Sequence, residues 1–136
     1  MGVSFVYLAG PYRGKDAQAH NWEVYHNIDA HINEAHRWAT RLARDGVYYF
    51  APHLNSAHME ITAPDVKGDF WIGMDFAILE HAWGLFLLPD WRESQGARAE
   101  KEYAIEHKKP VFTHTMYSAM LHYWKGHLEE EALCPT

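Results

Sequence analysis

Cysteine is almost absent from this sequence, which contains one, Cys134, among its 136 residues. A single cysteine cannot form an intrachain disulfide, and it cannot supply the paired cysteines of a zinc ribbon. Long apolar runs are absent too, because the longest, residues 82–88, is far shorter than the ~20 residues that a membrane-spanning helix needs. The chain also opens without a secretory signal pattern. These features predict a protein of a reducing, cytoplasmic compartment with no membrane partner.

The sequence contains fewer positively charged residues than negatively charged ones. Lysine and arginine total 12 against 18 aspartates and glutamates, which gives a formal net charge of -6. Such a balance argues against a surface that grips nucleic acid polymers, so any bound phosphate has to be held locally. Apolar residues nevertheless make up 48% of the chain, which is enough for one buried core and excludes an intrinsically disordered protein. We therefore expect one domain over residues 1–128, followed by an acidic tail over residues 129–136.

The apolar pattern predicts strands that alternate with helices. The predicted strands are 3–9, 47–51, 84–89 and 110–113, and the predicted helices are 22–44, 71–82, 96–107 and 117–128, with a polar loop at 54–67. This alternation is typical of parallel strands joined by right-handed crossovers. The sequence therefore predicts an α/β three-layer sandwich, a mostly parallel Rossmann-like or flavodoxin-like sheet with helices on both faces.

Ligand sites in such sheets lie beyond the carboxyl ends of the strands, which here are followed by loops 10–16, 52–59 and 89–96. The helix after the third loop carries Glu100 on the same face as the small residues Ala97 and Ala104. A buried carboxylate without partners is costly, so Glu100 either has a task or tilts towards solvent. The helical pattern alone leaves both interpretations open.

Three further side chains are candidates for the same site. Ser94 precedes the helix that carries Glu100, where a serine caps a helix or helps its backbone N–H groups to bind an anion. Arg13 lies in the glycine-flanked loop of residues 10–14 and is either a phosphate ligand or a surface residue. Asp75 either faces solvent or points towards Glu100, and two carboxyl groups in different environments can divide nucleophile and acid/base roles.

Histidine is unusually abundant, with 11 residues, and raises the question of a metal site. The best candidates for metal ligands are His53 and His58 together with Asp75. The two histidines are five positions apart, and this spacing matches no metal-binding motif. We therefore expect neither a metal nor another cofactor.

Taken together, the tetrapeptide at residues 7–10, Asp75 and the motif Ser94-x-Gly96-x-x-x-Glu100 resemble the nucleoside 2-deoxyribosyltransferase superfamily over about residues 3–121. Residues 88–97 also resemble an uncharacterised branch of that superfamily. The resemblance implies that Glu100 is a nucleophile which attacks the anomeric carbon of the sugar. It also implies that Tyr7 orients this glutamate and that Asp75 helps to protonate the leaving base.

Within the superfamily, the motifs are most similar to those of the deoxynucleoside 5′-monophosphate N-glycosidases. These enzymes have a phosphate-binding serine at the position of Ser94, where the transferases have an aspartate, and Arg13 matches their phosphate-binding arginine. Ser118 matches a serine that reaches the phosphate from a neighbouring subunit, which implies a homodimer or a larger homo-oligomer. The resemblance further implies a substrate pocket that includes Gly10, Gly96, His53 and Asn55, with the loop of residues 53–59 lining the base pocket.

Arg98 departs from the family pattern, because the glycosidases have a glycine at this position. Its side chain is expected either to narrow the sugar pocket or to add a charge for the phosphate. The function that the resemblance implies is hydrolysis of a nucleoside 5′-monophosphate, with a 2′-deoxy sugar favoured, to free base and sugar 5-phosphate. A deoxyribosyltransferase that exchanges bases is one alternative, and a non-catalytic nucleotide-binding or sensor protein is another.

Overall fold

The computed structural model describes residues 4–13 and 22–133. These described residues form four strands and six helices. They are β1 (Val6–Ala9), α1 (Trp22–Arg44), β2 (Tyr49–Phe50), α2 (Pro52–Asn55), α3 (Met59–Thr62), α4 (Gly68–His81), β3 (Gly84–Leu87), α5 (Gln95–Glu106), β4 (Val111–Thr113) and α6 (Tyr117–Leu133). Single turns of 3-10 helix precede α5, at Trp91–Glu93, and α6, at His114–Met116. No helix in the described ranges is both long and apolar enough to cross a membrane.

The four strands form one parallel sheet in the order β2-β1-β3-β4. In the central pair, Tyr7 of β1 lies opposite Leu85 of β3, and on the other side of β1 it lies opposite Phe50 of β2. Both central strands are buried along their whole length, as expected for strands covered on both faces. The predicted α/β fold with a parallel sheet is confirmed.

Alternate residues of the central strands contribute to two separate cores. One core combines Val6, Leu8 and Phe86 with buried residues of α1 and α6. The other combines Tyr7, Ala9, Leu85 and Leu87 with buried residues of α4 and α5. Because successive side chains of a strand point to opposite faces, Tyr7 belongs to the layer that contains α4 and α5. This layer also carries Asp75, on α4, and Glu100, on α5.

The long helix α1 has the bounds that its sequence pattern predicts. Its buried positions are Val24, Ile28, Ala35, Ala39 and Leu42, which form one face at helical spacing. Tyr25 is exposed, and its neighbour Val24 takes the buried position in the first turn. The helix ends before Gly46, whose φ of 77° lies in the left-handed region that glycine adopts without a steric penalty.

The segment predicted as an irregular loop, residues 54–67, is partly helical. It includes the end of α2 and all of α3, each of which has a single turn. Pro52 begins α2, where its fixed φ suits a first helical position. Helices of four residues are too short to show a 3.6-residue apolar period, so the sequence pattern does not reveal them.

The last helix is longer than predicted. Residues 129–133, expected to belong to an acidic tail, continue α6 as far as Leu133. Ser4, just before β1, contacts this extension through a hydrogen bond from its hydroxyl to Glu131 at 2.8 Å and another with His127 at 2.8 Å. The extension is therefore connected to the start of the sheet. Residues 134–136, including Cys134, lie outside the described part of the chain.

Candidate active site

A cavity of about 470 Å³ lies at the carboxyl edge of the sheet. Each of the three loops predicted to carry the site contributes to its wall. The lining residues include Gly10, Tyr12 and Arg13 after β1, Pro52, His53, Ser56, Met59 and Glu60 after β2, Trp71, Ile72 and Asp75 on α4, and Ser94, Gly96, Ala97 and Glu100 around the start of α5. The volume is in the range of sites for small organic molecules.

Glu100 is buried at this cavity, with 9% of its surface exposed, so the solvent-facing interpretation of this residue is wrong. It lies on the packed face of α5 between Ala97 and Ala104. Tyr7 donates its hydroxyl proton to Glu100 Oε2 in a very short hydrogen bond. Burial is the main reason that the pKa of Tyr7 is far above its usual range, so the phenol stays protonated and remains a donor.

Burial raises the pKa of Glu100 to about 8; the nearby charge of Asp75 also raises it, and the hydrogen bond from Tyr7 lowers it. Asp75 lines the same cavity from α4, and burial raises its pKa to about 6. Its Oδ1 atom is buried and has no hydrogen-bond partner in the described part of the chain. The two carboxyl groups are therefore electrostatically coupled, and between these values they hold one proton together.

The surroundings of the two carboxyl groups differ in the hydrogen-bond donors that they provide. The Tyr7 hydroxyl stabilises the ionised form of Glu100, whereas no described group donates to Asp75 Oδ1. Burial outweighs this hydrogen bond, so the pKa of Glu100 stays above that of Asp75 and the shared proton lies mainly on Glu100 near pH 7. A nucleophile and a general acid require the other arrangement, a Glu100 carboxylate beside a protonated Asp75, and the hydrogen bond from Tyr7 favours that arrangement.

Ser94 caps α5, because its Oγ accepts a hydrogen bond from the Ala97 N–H at 3.1 Å. As an acceptor from the backbone, the hydroxyl keeps its own proton available for a second partner. Gly96 and Arg13 also line the cavity, so the backbone N–H groups at the start of a 12-residue helix, a hydroxyl and a guanidinium are at one site. This set of donors suits an anionic group.

Three residues of the predicted pocket are not part of the cavity wall. Arg98 is exposed and donates to the backbone oxygen of Arg92, so it neither narrows the cavity nor adds charge inside it. A separation of two positions corresponds to a rotation of about 200° around a helix axis, so Arg98 and Glu100 lie on different faces of α5. Asn55 is exposed at the end of α2, and Ser118 is exposed in the first turn of α6. The predicted role of Ser118 requires a second copy of the chain.

The pattern analysis missed two polar residues of the cavity wall, Tyr12 and Glu60. The Tyr12 hydroxyl donates to Glu60 Oε2 at 2.9 Å and accepts from the His58 N–H at 2.9 Å. Glu60 is 48 positions from Tyr12 in a segment without a clear period, so no local signal connects the two. His53 was predicted and does line the cavity, where its Nε2 atom lies 2.8 Å from the oxygen of Pro11.

Within residues 4–13 and 22–133, no group of three or more histidine, cysteine, aspartate or glutamate side chains is arranged to hold a metal ion. His58 instead approaches Asp29 of α1, with 3.2 Å between His58 Nε2 and Asp29 Oδ1.

A parallel sheet between two helical layers, with paired carboxyl groups in a cavity at its carboxyl edge, places this chain among the α/β proteins with a Rossmann-like architecture. Residues 4–116 match the family described as Domain of unknown function (DUF1937), and the chain belongs to that family. The matched range contains every residue that lines the cavity. No curated protein sequence matches the chain at a significant level.

Proposed function

We propose that this protein is an N-glycosidase that hydrolyses a nucleoside 5′-monophosphate, preferably a 2′-deoxy one, to free base and sugar 5-phosphate. The observation that carries the proposal is the buried Glu100 carboxyl group, which accepts a hydrogen bond from Tyr7 and shares a cavity with the uncompensated carboxyl group of Asp75. The resemblance of these positions to the nucleoside 2-deoxyribosyltransferase superfamily points to the same chemistry.

In the first step, the Glu100 carboxylate attacks the anomeric carbon and the bond between sugar and base breaks. Asp75 gives its proton to the base nitrogen as the electron pair of the broken bond moves onto the base. The products of this step are the free base and a glycosyl ester of Glu100. In the second step, water attacks the anomeric carbon, Asp75 takes a proton from the water, and the ester bond breaks to restore the Glu100 carboxylate.

The phosphate is proposed to bind at the start of α5. Ser94 and Arg13 line the cavity there, and the first N–H groups of a helix attract anions. Such a site is small enough to coexist with the net charge of -6, since it needs only one guanidinium. A second copy of the chain would add Ser118 to the phosphate, so a homodimer is part of the proposal.

The test is to incubate the purified protein with a panel of ribo- and deoxyribonucleoside monophosphates and to measure free base by chromatography. We expect base release from at least one monophosphate, and we expect Glu100→Gln to lower kcat by ~10³-fold or more, as for loss of a nucleophile. Glu106→Gln makes the same chemical change at an exposed position of α5 and should leave kcat unchanged. Absence of base release, or full activity of Glu100→Gln, would contradict the proposal.

The same reaction mixture separates hydrolysis from transfer. An excess of a second free base should leave sugar 5-phosphate as the product if water is the acceptor. Formation of a new nucleotide would identify a deoxyribosyltransferase, in which Glu100 and Asp75 keep their roles and a base replaces water. Binding of a monophosphate without any release of base would identify a non-catalytic nucleotide-binding protein.

A further inference from the structure

Half of the buried, unpartnered polar side-chain atoms in the described part of the chain belong to residues of this one cavity. The six atoms are His53 Nδ1, His58 Nδ1, Glu60 Oε1, Asp75 Oδ1, His114 Nδ1 and Trp124 Nε1, and the cavity residues among them are His53, Glu60 and Asp75. Buried polar groups in folded proteins are nearly always hydrogen-bonded, so such a concentration points to a ligand. Asp75 belongs to the catalytic pair, whereas His53 and Glu60 come from α2 and α3 and have no role in the proposed chemistry.

The hydrogen bond made by His53 determines which of its ring nitrogens carries the proton. Nε2 lies 2.8 Å from the backbone oxygen of Pro11, and because a carbonyl oxygen only accepts, Nε2 is the donor. Burial lowers the pKa of His53, which favours the neutral ring. Nδ1 of the neutral ring then has a lone pair and no proton. His53, which is only 4% exposed, therefore offers an acceptor at the cavity wall.

Glu60 offers acceptors as well, and its position is supported by two hydrogen bonds in series. The His58 N–H donates to the Tyr12 hydroxyl, and this hydroxyl donates to Glu60 Oε2. The pKa of Tyr12 is raised to about 12, mainly by burial, so the phenol remains a donor to the carboxylate. Glu60 Oε1 has no hydrogen-bond partner among the described residues, and its neighbour, His58 Nδ1, lies 3.8 Å away, beyond hydrogen-bond distance. The carboxylate is thus held in place before a ligand binds.

The remaining wall of this part of the cavity combines one more acceptor with apolar surface. Ser56 donates its hydroxyl proton to the oxygen of Pro52 at 3.0 Å, which leaves its Oγ lone pairs as the free polar feature. Met59, Val66 and Trp71 supply apolar and aromatic contacts. A flat, aromatic ligand that stacks on such surface and carries hydrogen-bond donors along one edge fits this wall.

We propose that the end of the cavity formed by α2 and α3 is the base pocket, and that Glu60 selects a base with two adjacent hydrogen-bond donors, an amino group beside a ring N–H, as in guanine. The inference rests on the proposed function, because it treats the ligand at this end of the cavity as the leaving base. A carboxylate can accept from two adjacent N–H groups at once, in the same way as it does from a guanidinium. Uracil and thymine present carbonyl oxygens beside their ring N–H. A carbonyl oxygen accepts hydrogen bonds, as the carboxylate of Glu60 does, so these bases would place two acceptors against each other.

Guanine and hypoxanthine give the sharpest comparison, because they differ by one amino group. Binding of dGMP and dIMP is measured by calorimetry in the Glu100→Gln background, where turnover is blocked. We expect dGMP to bind about 10- to 100-fold more tightly, the usual effect of leaving a buried polar partner unpaired. Glu60→Gln in the same background should reduce this ratio to about threefold or less. Glu106→Gln should leave the ratio unchanged.

Equal affinity for dGMP and dIMP, or a ratio that survives Glu60→Gln, would overturn the inference. Tyr12→Phe provides a second variant if Glu60→Gln does not fold, and it should lower the ratio by removing the hydroxyl that holds Glu60 in place. The two proposals fail in different ways. Cleavage of monophosphates without a preference for guanine over hypoxanthine would contradict the role of Glu60 alone, whereas guanine-selective binding without cleavage of any monophosphate would contradict only the glycosidase.

Discussion

Tyr7, in the central strand β1, donates its hydroxyl proton to Glu100 of α5, which lies 93 positions further along the chain. The hydroxyl stabilises the ionised form of Glu100 and so lowers the pKa of this carboxyl group, against the larger effect of burial. Loss of the hydroxyl is therefore expected to raise the pKa of Glu100 further and to hold the shared proton more firmly on Glu100, which is the unproductive arrangement.

The dependence of activity on pH tests this relationship. With pKa values of about 6 for Asp75 and about 8 for Glu100, the singly protonated pair predominates around pH 7. We expect a bell-shaped profile of kcat against pH with its maximum there. Tyr7→Phe should lower kcat by ~10-fold or more and move the basic limb to higher pH, because Glu100, whose pKa is about 8, then ionises less readily. A basic limb that does not move would contradict the assigned role of Tyr7.

Stability should also depend on pH through Glu100. Its pKa is raised from an ordinary 4.5 to about 8 in the fold, so its contribution to stability is fully present below about pH 4.5 and is lost as the pH rises through 8. Glu100→Gln removes this loss. We expect its Tm at pH 9 to exceed that of the unmodified protein by at least about 3 °C, and the difference to shrink at pH 5.

Thermal unfolding followed by circular dichroism at the two pH values measures this difference. Glu106→Gln, at an exposed site, serves as the matched control and should have the same Tm as the unmodified protein at both pH values. A Glu100→Gln variant that loses stability at pH 9 would show that the buried carboxyl group is better tolerated than its pKa implies.

Ser94 allows the cap of α5 to be separated from phosphate binding. Aspartate and asparagine both replace serine well as helix caps, so Ser94→Asp and Ser94→Asn should fold normally. Only Ser94→Asp adds a negative charge beside a phosphate group. We expect it to raise the KM for a nucleoside monophosphate by ~10-fold or more relative to Ser94→Asn, with a much smaller effect on the corresponding nucleoside. An equal effect of the two variants would place the phosphate elsewhere.

Gly10 directly follows β1, and its backbone lies close to the core side chain of Leu88. A Cβ atom at this position would lie 2.9 Å from the Cβ of Leu88, so Gly10→Ala should lower the free energy of unfolding by about 1–3 kcal/mol. Gly73, inside α4, has no neighbouring atom within 4 Å of the corresponding position, and Gly73→Ala should raise the free energy of unfolding by about 0.5–1 kcal/mol. Urea denaturation of both variants measures the free energy of unfolding and checks that the two changes have opposite signs.

The sequence predicts those parts of the structure that repeat with a regular period. Helix α1 is long and amphipathic, and both of its ends agree with the pattern. The helical spacing of Glu100 to Ala97 and Ala104 places it on the packed face of α5, although the pattern does not decide between burial and a tilt towards solvent. These signals are local, so they can be seen without knowledge of the tertiary structure.

The rest of the site depends on contacts between distant segments. The hydrogen bond between Tyr12 and Glu60 joins a loop after β1 to a one-turn helix, and neither residue has a periodic neighbour that identifies it. The resemblance also does not reveal that Arg98 lies outside the cavity wall, because a family position shows which residue is near the nucleophile in sequence and not where its side chain points. The extension of α6 includes Glu131, which accepts a hydrogen bond from Ser4 at the other end of the described chain.

The order of the sheet has a consequence for synthesis of the protein. The two central strands, β1 and β3, are neighbours in the sheet, but α1, β2 and three further helices separate them along the chain. A nascent chain that ends before Leu87 has no complete strand to cover the β3-facing edge of β1, and an uncovered strand edge is a template for pairing with other chains. Until β3 has been synthesised, this edge of β1 therefore has no partner strand.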